Sequence, residues 1–158
     1  MSLNEKLTVL SKIANIFNNN NVTWAVGASL LLYFKGILNN FRDIDIVMSE
    51  DDVDTVKELL SRSGILLPSP PNTQYETRVF LEYVIDGVDI DIMAGLVIVN
   101  SEGEHYFPLK RENIAEYIEV GNTSVPLQSL EEWKLYYSLM GRTERVRLIE
   151  QALGKRTL

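Results

Sequence analysis

The tetrapeptide Asp43-Ile44-Asp45-Ile46 recurs as Asp89-Ile90-Asp91-Ile92, and this repeated alternation constrains the fold more than any other feature. Acids alternating with branched apolar residues suit only a strand, where side chains two apart share a face and neighbours take opposite faces. The chain must therefore build a sheet that buries the isoleucines and presents carboxylates on the other side. Two carboxylates on one face repel each other, and both pKa values rise unless a cation lies between them. Mg²⁺ is the natural cation, because it takes hard oxygen ligands: one or two carboxylates together with substrate phosphates. If the two acidic strands are neighbours, they form a cluster of three or four acids. Such a cluster suits two divalent ions and in-line attack at phosphorus. In the second copy, one of Asp89 and Asp91 is expected to face solvent.

The surrounding sequence supplies the elements that such a sheet needs. Leu3, Leu7, Leu10, Ile13, Ala14 and Phe17 recur at helical spacing and predict an amphipathic helix from about Asn4. Asn18 to Asn21 reads as its polar stop and Val22–Val26 as a short buried strand. A helix is expected over Ser29–Phe34, then the acidic strand Asp43–Met48. Ser49 is placed to cap a following helix with acids in its first turn, closed by Gly64. The proline-bearing run 66–74 reads as a loop. Asp86-Gly87 is a two-residue hairpin turn between Thr77–Ile85 and Val88–Met93. A second hairpin is expected around Glu102-Gly103, and from Gln128 two helices separated at Gly141. The order implies an α+β (mixed α/β) fold, a mixed sheet flanked by helices, in one domain over residues 1–158 with a helical tail from about 127.

Val26-Gly27-Ala28-Ser29 joins a strand to a helix. A glycine at such a turn lets backbone approach a phosphate, and the helix start offers free N–H groups. Only thirteen residues lie between Ser29 and Asp43, so the turn and the acid pair fall on neighbouring strands. Composition removes competing chemistries. With no cysteine and one histidine, His105, the chain has no thiolate nucleophile or thiolate metal site, and no two-imidazole zinc site within one copy. His105 itself reads as structural. Trp24 and Trp133 read as core, and Tyr136 and Tyr137 as packing or rimming a cleft. The start of the chain has neither the basic segment nor the apolar run of a secretory signal, and no apolar run suffices for a membrane span. A cytoplasmic location is expected.

The run WAVGASLLLYFKGILNNFRDIDIVM resembles the nucleotidyltransferase superfamily related to DNA polymerase beta. Its signature is a hydrophobic residue, Gly and a Gly or Ser, then an acid–hydrophobic–acid strand, then a third acid on a later strand. Lys35-Gly36 resembles the basic residue and glycine that end the first catalytic helix, and GVDIDIMAG resembles the third-acid strand. SVPLQSLEEWKLYYSLMGR resembles the helical tail of small members, among them antibiotic (lincosamide and aminoglycoside) and toxin–antitoxin nucleotidyltransferases. The resemblance spans roughly residues 22 to 145. It implies that Gly27, Ala28 and Ser29 bind the nucleotide triphosphate, with Arg42 and Lys134 as further phosphate contacts. It implies that Asp43, Asp45 and Asp91 hold two Mg²⁺ ions, with Asp89 as an additional ligand, and that Asp91 serves the acceptor hydroxyl as base or ligand. The implied reaction transfers a nucleoside monophosphate from an NTP to an acceptor hydroxyl and releases pyrophosphate.

The competing reading is a non-catalytic nucleotide-binding or protein-interaction module of the same fold, such as a toxin–antitoxin component. Two departures favour it: Ala28 replaces the usual Gly or Ser, and Arg42 stands where a small hydroxyl residue is frequent. The retained acid pairs oppose it, since unused carboxylates repel at a cost. The net charge of -7 makes a nucleic acid or a membrane an unfavourable partner and suits a small-molecule acceptor, especially a cationic one, or a protein; a homodimer is compatible. Arg142, Arg145 and Arg147 form a local basic exception, as much a solvated helix face as a polyphosphate contact.

Overall fold

A computed structural model describes residues 1–68 and 77–156. Helix α1 (Leu3–Asn19) starts at Ser2, whose hydroxyl accepts the N–H of Glu5, and buries the stripe Val9, Leu10, Ile13, Ala14 and Phe17. It runs two residues into the asparagine stretch before Asn21 turns the chain with φ 57°. That stretch is more than a stop signal. Asn18 accepts the indole N–H of Trp24 at 3.0 Å and donates to the Ser124 carbonyl, tying α1 to two strands.

Strand β1 (Trp24–Val26) leads to α2 (Ala28–Phe34), then β2 (Ile44–Met48), a 3-10 turn at Glu50–Asp52 and α3 (Val53–Leu60). Ser49 caps the 3-10 turn, so the α-helix proper begins later and ends earlier than the charge pattern suggests. Strands β3 (Ile65–Leu67), β4 (Val79–Ile85) and β5 (Val88–Ala94) follow, then β6 (Leu96–Asn100) and β7 (Gly103–Phe107). Leu66 and Leu67, expected in a loop, belong to β3; residues 69–74 of that expected loop lie outside the described residues. Strands β8 (Glu116–Val120) and β9 (Thr123–Leu127) precede α4 (Leu130–Leu139) and α5 (Thr143–Arg156), which meet at Gly141 as expected.

Among the described residues, seven strands form one mixed sheet in the order β3-β4-β5-β2-β1-β9-β8, while β6 and β7 pair separately. The Asp86-Gly87 turn has both φ values positive, and it fixes the β4–β5 register from Ile85 opposite Val88. Ile44, Ile46, Ile90 and Ile92 are fully buried on one face of the sheet, together with Trp24, against which Phe17 of α1 packs edge-on at 5.4 Å. Helix α4 covers part of the opposite face. Among the described residues, no helix is long and apolar enough to cross a membrane.

Candidate active site

Register places the acids. Strands β2 and β5 run parallel with Asp45 opposite Asp91, and β4 runs antiparallel to β5 with Glu82 opposite Asp91. Three carboxylates therefore stand in one row across β2, β5 and β4, at the strand spacing of roughly 5 Å. Asp43 and Asp89 lie one step along the same face, and Val47, Met93 and Phe80 form the apolar row on the other side. The alternation thus sorts the chain as expected, isoleucines inward and acids outward. Asp89 is the exposed member of its pair.

Among the described residues, two cavities share this wall. The first, of about 330 Å³, is lined by Ala28, Ser29, Asp43, Asp45, Glu82 and Asp91, with Phe80, Met93, Trp133, Tyr137 and Arg142 on its other sides. The second, of about 270 Å³, has Asp43, Glu82 and Asp91 again, with Arg42, Leu67, Tyr83 and Asp89. Glu82 was not anticipated from the sequence. The two-residue turn at Asp86-Gly87 carried the signal, since counting back from it sets Glu82 against Asp91.

Close grouping of like charges has the expected electrostatic result. Burial pushes the Asp45 carboxyl well up, reinforced by Asp91 and Asp43 and opposed by the backbone N–H of Ser29, which donates to it. Asp91 is raised to about 6 by burial and then by Asp43, Glu82 and Asp89. Asp43 is raised by burial and by Asp89, against Arg42 and Lys6.

The turn after β1 is built differently from a simple phosphate loop. The Gly27 N–H donates to the Asp45 carbonyl at 3.1 Å, so two N–H groups of this turn serve Asp45. A Cβ at position 27 would lie 2.7 Å from the Trp133 indole and 2.8 Å from Gln128 Oε1. Close contact with α4 therefore demands glycine at this position. Gln128 is buried and accepts the Trp133 indole N–H at 2.7 Å, and the Ser129–Glu132 capping box starts α4 beside it. Ala28 takes φ 50°, where a side chain is unfavourable.

Of the residues singled out in the sequence, Asp43, Asp45, Asp91, Ala28 and Ser29 line one cleft, with Gly27 at its edge against Trp133. Arg42 is exposed and lines the second cavity with Asp89. Lys134 lies apart, paired with Glu150 at 3.7 Å on the exposed side of the tail helices. Lys35 caps the end of α2 and pairs with Glu116, outside both cavities. Arg142 enters the first cavity while Arg145 and Arg147 do not. Tyr137 lines the cleft, Tyr136 packs between Phe107 and Trp133, and His105 contacts Asn100 Oδ1 at 3.0 Å.

The donor set suits a hard divalent cation: carboxylate oxygens only, whose pKa values are raised by burial and then by one another. In the side-chain positions of the structure, no group of three or more acids or histidines among the described residues converges on one ion. Binding a cation there requires side-chain rotation on a strand framework that already aligns the carboxylates.

No protein-family model matches the chain, and no curated protein does. Solved structures match it over nearly all its length. A protein of Thermotoga maritima assigned to the nucleotidyltransferases superposes with a TM-score of 0.73 at 24% identity, covering 98% of this chain and 96% of its own. ANT(2'')-Ia in complex with adenylyl-2''-tobramycin gives 0.65 at 14% identity, covering 97% and 92%. The lincosamide antibiotic adenylyltransferase LnuA, lincomycin-bound, gives 0.62 at 14% identity, covering 90% and 95%. The fold is that of the nucleotidyltransferases, as the sequence resemblance implied.

Proposed function

We propose that the chain is a nucleotidyltransferase that moves a nucleoside monophosphate from an NTP to an acceptor hydroxyl. The observation that carries this reading is the row Asp45–Asp91–Glu82 with Asp43 beside it, lining a cleft of nucleotide-binding size. Asp43, Asp45 and Asp91 would hold Mg²⁺, which supplies charge neutralisation and orientation of the phosphates when bound. The Ser29 N–H fixes the Asp45 carboxylate in its place. Asp91, facing the cleft between Asp45 and Glu82, is placed to take the acceptor proton. The acceptor oxygen forms a bond to the α-phosphorus, the bond from that phosphorus to the β-bridging oxygen breaks, and pyrophosphate leaves with the electron pair. The proton passes to Asp91. Helix α4, through Trp133 and Tyr137, closes the apolar side of the cleft against water.

The fold neighbours that act on antibiotics support a small-molecule acceptor over a nucleic acid, as does the net charge of -7. A protein hydroxyl remains the second class of acceptor, and the cytoplasm is the compartment this chemistry suits. The competing reading, nucleotide binding without turnover, draws on the turn: Ala28 crowds it, and Gly27 and Ser29 already give their N–H groups to Asp45. Thermal shift with each NTP, with and without Mg²⁺, tests the proposal. Stabilisation should require both and vanish in the double variant Asp43→Asn, Asp45→Asn. No response to NTP plus Mg²⁺ would sink it. Pyrophosphate release across hydroxylated acceptors then separates turnover from binding alone.

A further inference from the structure

Nucleotide transfer at a carboxylate-lined cleft leaves an electrostatic problem. Divalent ions offset the acids, but the β- and γ-phosphates still need a cation of the protein's own. The turn at Gly27–Ser29 has two of its N–H groups committed to Asp45, and Lys134 is paired with Glu150 away from the cleft. Arg42 faces the second cavity beside Asp43. Among the described residues lining the first cavity, Arg142 alone carries a positive charge.

Its placement is built. The Tyr137 ring is buried and wedged against Trp133 at 5.2 Å, so its plane is fixed. The Arg142 guanidinium lies over that ring at 5.1 Å, and the Arg142 N–H donates to the Tyr137 carbonyl at 2.9 Å. Gly141, at φ 77°, makes the turn out of α4 that delivers the residue to the cleft. A guanidinium held over an aromatic face by cation–π attraction still has N–H groups with which to engage phosphate oxygens.

We propose that Arg142, shelved on Tyr137, grips the β- and γ-phosphates of the bound nucleotide and holds the departing pyrophosphate. This rests on the nucleotidyltransferase reading and gives the role expected of Lys134 to a different residue. It also means that the tail helices complete the nucleotide site.

The test is the binding of ATP, AMP and inorganic pyrophosphate to the full chain with Mg²⁺, by titration calorimetry, in the native protein and in Arg142→Ala, Arg142→Lys and Tyr137→Leu. Arg142→Ala should weaken ATP and pyrophosphate by roughly ten- to a hundredfold and leave AMP within about twofold. Arg142→Lys should recover part of the loss, since a lysine keeps the charge without the fork. Tyr137→Leu should weaken ATP less than Arg142→Ala, by unfixing the guanidinium. Equal loss of ATP and AMP in Arg142→Ala, or no loss of either, overturns the assignment. ATP binding that Asp43→Asn abolishes and Arg142→Ala does not touch overturns it while leaving the nucleotidyltransferase reading intact. A native protein that binds neither ATP nor pyrophosphate overturns both. Arg142 is exposed, so its variants should melt as the native protein does.

Discussion

At the scale of the residue, the site is maintained against the stability of the protein that carries it. Asp91 holds its proton more tightly when folded than unfolded, with a pKa raised to about 6. Such a carboxyl favours the folded state below the ordinary carboxylate range, near pH 4, and that increment is lost as the pH rises to about 6. Asp45 and Asp43 act in the same direction. Without divalent ions the melting temperature should therefore fall between pH 4 and 6 on this account, and Mg²⁺ should flatten the profile. Asp91→Asn should raise metal-free stability at pH 7.5 by about 1 kcal/mol, after allowing for the solvent that screens a partly exposed group, while abolishing transfer. A loss of stability in that variant, measured by urea unfolding, would show the carboxylate to be structurally paired. The turn gives a second contrast. Ala28→Gly relieves a side chain at φ 50° and should stabilise by about 0.5–1 kcal/mol. Gly27→Ala drives a methyl into the Trp133 indole and should destabilise by about 1–3 kcal/mol, with a shift in tryptophan emission that Ala28→Gly does not produce.

At the scale of the element, what the sequence revealed depended on whether local chemistry or distant pairing decided the outcome. The Asp86-Gly87 hairpin, the parting of the two tail helices at Gly141 and the alternation of β2 and β5 are local decisions, and all three are legible. The hairpin of β8 and β9 is harder to read, although Gly121-Asn122 between two strands is a turn signal of the same kind. Its strands hide because β8 lies at an edge: Glu116, Tyr117 and Glu119 are exposed, and only Val120 is buried, so no apolar period marks it. The asparagine run was legible as a turn but not as a clasp, because the partners of Asn18 are Trp24 and a carbonyl more than a hundred residues away. Asn18→Ala leaves the indole N–H of Trp24, which is 1% exposed, without its acceptor. A cost of about 1–3 kcal/mol in urea unfolding is expected, against about 0.5 kcal/mol or less for Asn19→Ala on the exposed side of the helix end.

At the scale of the whole molecule, the two edges of the seven-stranded sheet are defended unequally. Strand β8 carries exposed Glu116 and Glu119, charges that discourage another strand from pairing. Strand β3 carries Ile65, Leu66 and Leu67, exposed at 67%, 45% and 37%, with no charge among them. Successive residues of a strand face opposite sides, so both faces of this edge are apolar, while its outer rim offers backbone N–H and C=O groups to another strand. The overall charge of -7 keeps copies apart at low ionic strength, whereas salt screens that repulsion and leaves the apolar edge to act. Self-association should therefore rise with protein concentration and with salt between roughly 0.02 and 0.5 M. Ile65→Lys should suppress it, because a lysine on the exposed edge strand has to be desolvated for another strand to dock. Sedimentation velocity on the two proteins across that salt range reads the effect directly. Association that persists unchanged in Ile65→Lys would place the contact elsewhere on the surface. Leu67 also lines the second cavity beside Asp89 and Arg42, so a copy docked on β3 would stand at the mouth of that cavity. Ile65→Lys should then leave nucleotide binding in the first cavity unchanged, since Ile65 is not among the residues that line either cavity.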